Sequence, residues 1–113
     1  MAEKTILGLS EKVTVFGDGT SKKTVARIDT GASKSSIDVS LASELKLGPI
    51  LKTSRIRSAS GKGVRPVIKV RLKIKDKTLS GFFTLAIREH MNYKILIGRN
   101  ILKKGDFVID PKK

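Results

Sequence analysis

Ala26-Arg27-Ile28-Asp29-Thr30-Gly31-Ala32-Ser33-Lys34-Ser35-Ser36 is the stretch on which the reading of this chain turns. An apolar residue runs into Asp-Thr-Gly, a small residue follows, and hydroxyl side chains come after it. The acid stands between Arg27 and Lys34 in a chain whose formal net charge is +14. Two readings compete. Asp, Thr and Gly are ordinary turn residues, so Asp29 can end a strand and bond its own turn. Alternatively, an acid kept among cations is a reaction centre. By composition alone the tripeptide arises by chance in about one or two of every hundred chains of this length, so its surroundings have to decide.

The 113 residues fit a single domain spanning 1–113. A chain of this size buries roughly two thirds of its unfolded surface. With four Phe, one Tyr and no Trp, its core must rest on Ile, Leu and Val. The absence of Cys excludes disulfides and thiolate metal sites, and His90 is the lone histidine, so neither a metal nor a cofactor is expected. The N-terminal residues lack a signal-peptide layout and nothing approaches a membrane-spanning apolar run. The expectation is a soluble, cytoplasmic protein with no membrane partner. The 24 Lys and Arg against 10 Asp and Glu make a surface that attracts polyanions, whether RNA, DNA or acidic peptides. The plainer alternative is a solvated charged face.

Most segments are short and strand-like. Residues 12–16 and 24–28 are apolar-alternating runs, and 50–57 is a third candidate. Residues 67–75 are the clearest strand, with Val70, Leu72 and Ile74 alternating with Lys69, Arg71, Lys73 and Lys75. Asp76-Lys77 reads as a hairpin turn, with 79–87 returning and Phe83, Leu85 and Ile87 on one face. Residues 40–46 suggest a short helix capped by Ser40, and 100–104 a second one stopped by Gly105. Residues 107–109 form a last short strand. The predicted class is all-β with one or two short helices, closed or sandwiched. Residues 58–63 (Ser-Ala-Ser-Gly-Lys-Gly) form a flexible hairpin tip, and no nucleotide-binding glycine loop is present.

Sixty-six residues beyond Asp29, the run Ile95-Leu96-Ile97-Gly98-Arg99-Asn100-Ile101-Leu102 begins, and it reads as a buried strand breaking at glycine into a helix. The pairing of an apolar-Asp-Thr-Gly-Ala turn with this later Gly-Arg-Asn segment resembles the retropepsin-like aspartic peptidases, whose glycine-rich flap falls where the 58–63 tip does. The resemblance covers about residues 12–109. It is closest to the prokaryotic RimB-type group, named as ATP-dependent zinc proteases and associated with modification of ribosomal protein S6. That group shares the Asp-Thr-Gly-Ala turn, Arg65-Pro66-Val67-Ile68, the Ile97-Gly98-Arg99 region and the closing Ile109-Asp110-Pro111. Neither the zinc nor the ATP of that name has matching residues here. The resemblance implies a retropepsin-like closed β-barrel with one lobe per chain.

Peptide hydrolysis by carboxylates takes two of them sharing one proton, since like charges at about 3 Å cannot both ionise. One draws a proton from water while the other serves the carbonyl oxygen. The chain has one Asp-Thr-Gly, and its other aspartates, Asp18, Asp38, Asp76, Asp106 and Asp110, read as turn or polar positions. The economical arrangement is a two-fold homodimer bringing Asp29 to its own copy. Thr30 would bond across the axis and Gly31 would permit close backbone approach.

Strand alternation places Arg27 on the side of Asp29. The resemblance implies a substrate cleft that also takes Ala32, the flap residues Ser60, Gly61 and Lys62, and Lys94, with Gly98, Arg99 and Asn100 as its structural support. Viral relatives carry acids where Ser33 and Lys34 stand, so Arg99 must find a backbone carbonyl or a partner-chain acid instead. Cations around the cleft imply an acidic substrate, Glu- or Asp-rich, with an oligoglutamate tail among the candidates. They also lower carboxylate pKa values and so shift activity towards acid pH. Two other readings remain: a non-catalytic retropepsin-like binding domain, and a small basic β-barrel that binds RNA. The last is less favoured because few aromatics are available for stacking.

Overall fold

The computed structural model describes residues 4–58 and 61–113. Nine strands and two helices follow one another along the described residues: β1 (Ile6–Leu7), β2 (Ser10–Phe16), β3 (Ser21–Ile28), β4 (Ser35–Asp38), α1 (Val39–Glu44), β5 (Lys52–Ser58), β6 (Gly61–Ile74), β7 (Lys77–Ala86), β8 (Ile95–Ile97), α2 (Arg99–Gly105) and β9 (Val108–Ile109). The architecture is mostly β with two short helices, as the patterning implies.

The main sheet runs β2-β3-β8-β4-β7-β6-β5, and a second pairing of β2 with β6 closes its first six strands into a barrel. Closure is possible because β6 is long. Its first half pairs with β5 and its last four residues pair with Val13–Phe16. The barrel is filled by alternate residues of each strand, among them Val13 and Val15, Ala26 and Ile28, Ile68 and Val70, Leu72 and Ile74, and Ile95 and Ile97. Phe83 is the one aromatic deep in it, at 1% exposure. Branched aliphatics suit this interior because they pack on a pleated surface with little rotamer entropy to lose.

The structure corrects the local reading in three places. The first helix is capped by Asp38, whose carboxylate accepts from the backbone N–H groups of Ser40 and Leu41, so Ser40 lies inside the helix. The second helix includes Gly105 and ends at Asp106, which takes the left-handed conformation. Ile87 lies past the end of β7 and is 76% exposed, away from the face that buries Phe83.

The chain ends are tied to the barrel. β1 and β9 pair in parallel, Ile6 with Val108 and Leu7 with Ile109. Glu11 on β2 is the knot. Its carboxylate accepts from the Gly8 N–H at 2.7 Å, and it pairs with Lys75 at 3.1 Å and Lys113 at 3.4 Å. Burial pushes its pKa up, but the Gly8 hydrogen bond and the two ammonium groups together outweigh that and hold it below the usual glutamate value. A carboxyl depressed in this way stabilises the fold above the ordinary carboxylate range, and the contribution is lost as pH falls through the lowered value. Glu11→Gln is therefore expected to cost about 1–2 kcal/mol at pH 7 and progressively less as pH falls through the lowered value, as read by urea unfolding across a series of acid pH values.

Candidate active site

β3 delivers Asp29. Within it Ala26 and Ile28 point into the barrel and Arg27 points out. β3 runs parallel to β8, with Ile28 opposite Ile97. The Asp29 N–H extends this ladder by one step, donating to the Ile97 carbonyl at 2.9 Å. The chain then turns. The Gly31 N–H donates to Asp29 Oδ1 at 2.9 Å, and the Ala32 N–H donates to the Asp29 carbonyl at 3.3 Å. The carboxylate is thus oriented by its own turn, half-buried, while Thr30 and Gly31 are exposed. A side chain on Gly31 would meet only Asp29 Oδ1 among the described residues, at 3.3 Å.

The turn is bolted to the start of α2. A Cβ on Gly98 would lie 2.3 Å from the Lys34 carbonyl oxygen and 2.9 Å from that of Ala32, so only glycine allows this approach. The Gly98 N–H donates to Ser35 Oγ at 2.8 Å, and that hydroxyl donates to Asn100 Oδ1 at 2.7 Å. The Asn100 amide in turn donates to the Phe82 carbonyl at 2.9 Å, which ties α2 to β7. The Arg99 N–H donates to the Ala32 carbonyl at 2.8 Å, and its guanidinium to the Thr30 carbonyl at 2.9 Å. A backbone carbonyl thus serves Arg99 in place of an acid at position 33 or 34. Lys34 instead ties the turn to β5, donating to Ser54 Oγ and to the Arg55 carbonyl at 3.4 Å.

Asp29 opens into a cleft of about 520 Å³ that it lines together with Arg27, Arg88, His90, Tyr93 and Leu96. Asp29 is the sole acid among the lining residues. Arg88 carries no sequence signal, yet it is the best-fixed cation there. Its Nε donates to the Tyr93 carbonyl at 3.0 Å and its Nη1 to Ser36 Oγ at 3.3 Å. Its backbone N–H donates to Asp38 Oδ1 at 2.7 Å. Burial, then the charges of Arg65 and Arg27, lower its pKa, with Asp38 opposing them. The guanidinium nevertheless stays protonated at any physiological pH. Asp38, read from sequence as a turn residue, is 2% exposed and joins the α1 cap to the Arg88 backbone. An Asp three positions ahead of a buried Leu is a cap signal that the sequence did carry. Nothing local marks Arg88 or Ser35, because their partners lie many residues away.

The other sequence-predicted residues fall in several places. Lys94 does not line the cleft, and its ammonium donates to the Glu89 carbonyl at 2.8 Å. Gly61 opens β6 opposite Ser58, and Lys62 pairs with Arg57. Ser60 lies outside the described residues. Among the described residues no group of three His, Asp or Glu is placed to hold a metal ion, and no helix is long and apolar enough to cross a membrane.

A six-stranded closed barrel with two short helices is the retropepsin-like fold, and the likeness to known proteins bears out this fold. The family model described as retropepsin-like aspartic endopeptidase RimB matches residues 41–113. The chain therefore belongs to the RimB-like family. The matched segment begins after the Asp29 turn. No curated protein matches the chain. Among solved structures, the crystal structure of Lpg0085, a protein of unknown function from Legionella pneumophila, is similar with a TM-score of 0.70 at 21% identity, over 98% of this chain and 96% of that one. The solution structure of simian foamy virus (mac) protease is similar with a TM-score of 0.61 at 16% identity, over 83% of this chain and 91% of that one.

Proposed function

We propose that the chain is an aspartic endopeptidase that works as a homodimer, each subunit contributing one Asp29. The observation that carries this reading is the cleft itself, which holds an oriented carboxylate and no second acid among its lining residues. A single carboxylate cannot hold and pass a shared proton, whereas two related by a two-fold axis can. The surroundings favour such an axis. Thr30 and Gly31 are exposed, and beside them lies a groove of about 370 Å³ lined by Thr30, Arg99, Leu102, Phe107 and Ile109. Among the described residues only Asp29 Oδ1, at 3.3 Å, stands close to the open side of Gly31, which suits the close approach of a second turn. In the dimer one Asp29 takes a proton from water while the other donates to the carbonyl oxygen, and the roles reverse when the tetrahedral intermediate collapses.

The substrate reading is an acidic peptide. Arg27 and Arg88 line the cleft that holds Asp29, and the Arg88 guanidinium is pinned in place, which favours carboxylates beside the scissile bond. Peptides with Glu on both sides of the bond should be cut at least about tenfold faster, in kcat/KM, than alanine counterparts. Arg27→Gln should erase most of that preference while leaving the alanine peptide little changed. Equal rates on the two peptides with the native chain would remove the acidic-substrate reading. No hydrolysis of either by a dimeric protein would favour a non-catalytic binding domain.

A further inference from the structure

The barrel carries a second cationic surface, on the outer face of β3, β2, β6 and β7, that peptide hydrolysis leaves unused. The registers put these strands side by side, Thr14 of β2 lying between Lys23 of β3 and Lys73 of β6. β6 presents Lys69, Arg71 and Lys73 outward, all exposed, while Ile68, Val70, Leu72 and Ile74 face the core. Lys12 and Lys23 add exposed charge from β2 and β3. No Asp or Glu occupies an outward position of these four strands between the cations, Glu11 being engaged by Lys75 and Lys113 at the edge. Among the described residues none of Lys12, Lys23, Lys69, Arg71 and Lys73 forms an ion pair.

Two aromatics interrupt the charge. Phe16 pairs with Arg71, whose guanidinium lies 4.7 Å from the ring centroid. Phe82 pairs with Lys69, is 45% exposed, and has the Lys52 ammonium 4.6 Å from its ring. Ideal sheet spacing sets the two Phe Cα atoms roughly 12 Å apart, enough to serve different nucleotides of one strand. A cleft of about 390 Å³ adjoins Phe82, rimmed by Lys34, Lys52 and Asn100.

We propose that this outer face binds single-stranded RNA, with the β6 cations on its phosphates and bases stacked on Phe82 and on the Arg71–Phe16 pair. A row of cations alone would suit any polyanion. One exposed ring, Phe82, and the guanidinium plane of Arg71 among them suit unpaired bases, which a duplex hides and an acidic peptide lacks. The hydroxyls of Thr14 and Ser80 on the same face supply partners for the ribose 2′-OH. The face does not include Asp29, so binding does not need the catalytic carboxylate.

The test is fluorescence anisotropy of labelled U12 RNA with the full chain, against dT12, a 12-base-pair RNA duplex and an oligoglutamate peptide. Lys69→Gln/Arg71→Gln/Lys73→Gln should weaken U12 binding at least about tenfold and reduce the salt slope by about 2. Phe82→Leu, which keeps apolar bulk but removes the ring, should cost about fivefold or more. Lys46→Gln/Lys103→Gln/Lys112→Gln, with the same charge loss elsewhere, should cost less than about threefold, and Asp29→Asn should bind U12 as the native chain does. Equal losses from the two triple variants, or an unchanged affinity in Phe82→Leu, would overturn the proposal. So would dT12, the duplex or oligoglutamate binding as tightly as U12. If the triple variant fails to fold, Phe82→Leu still decides.

Discussion

Asp29→Asn is expected to leave the fold standing and to lower peptide hydrolysis at least about a thousandfold. The two halves of this result have separate causes. The Asn amide oxygen can still accept from the Gly31 N–H, which lies 2.9 Å from Asp29 Oδ1, so the turn keeps its shape. The Asp29 backbone bond to Ile97 is untouched by the change. Thermal unfolding should therefore shift by no more than a few degrees. Chemistry is lost because an amide neither takes a proton from water nor passes one to a carbonyl oxygen. The measurement is kcat/KM on a Glu-flanked peptide together with Tm on the same preparation. A folded variant retaining most of its activity would place the reaction elsewhere.

Gly98→Ala carries the largest expected effect on stability. The added Cβ would stand 2.3 Å from one backbone oxygen and 2.9 Å from another, and neither can swing aside as a side chain could. Relief requires parting α2 from the Asp29 turn, which strains the Ser35 bond to the Gly98 N–H and the Arg99 bond to Ala32. The cost should be about 3 kcal/mol or more, a fall in Tm of about 10 °C or more. Because that junction positions the carboxylate, activity at a temperature where the variant is folded should fall as well. Gly63→Ala is the matching control, since no atom of the described residues lies within 4 Å of its added Cβ. Differential scanning calorimetry of the two variants checks both statements, and similar Tm values would deny that the turn and helix are locked together.

What the sequence disclosed follows from which forces are local. β2, β3 and the β6–β7 hairpin were legible because a half-buried strand writes its two faces as alternation. β4 was not. Its four residues are all buried, yet three are Ser, Ser and Asp, and they read as a turn. They are tolerated inside because Ser35 meets Gly98 and Asn100, Ser36 meets Arg88, and Asp38 meets the α1 start and the Arg88 N–H. Apart from the α1 start, those partners stand about 50 to 65 positions downstream, and single-chain patterning does not see them. At the site, Asp29 and Gly98 announced themselves through short motifs. Arg88 did not, because it reaches the cleft only through the parallel pairing of β4 with β7. The basic alternation of β6 was plain from the sequence. That Phe16 and Phe82 share its outer face depends on strand register, and a residue slip would have reversed it.

These elements form one chain of cause. Aliphatic alternation closes the barrel, closure sets β8 beside the end of β3, and glycine at the β8–α2 junction lets the Asp29 turn seat against it. The reading of function adds one step, the meeting of two such turns. Its most direct test holds native protein constant, with peptide in large excess, and adds increasing Asp29→Asn chain. If each active site takes one acid from each of two chains, mixed dimers are dead and the rate per native chain falls towards zero as the variant comes to outnumber it. A rate that stays constant through a tenfold excess of folded variant would show that one chain suffices, and would contradict the account.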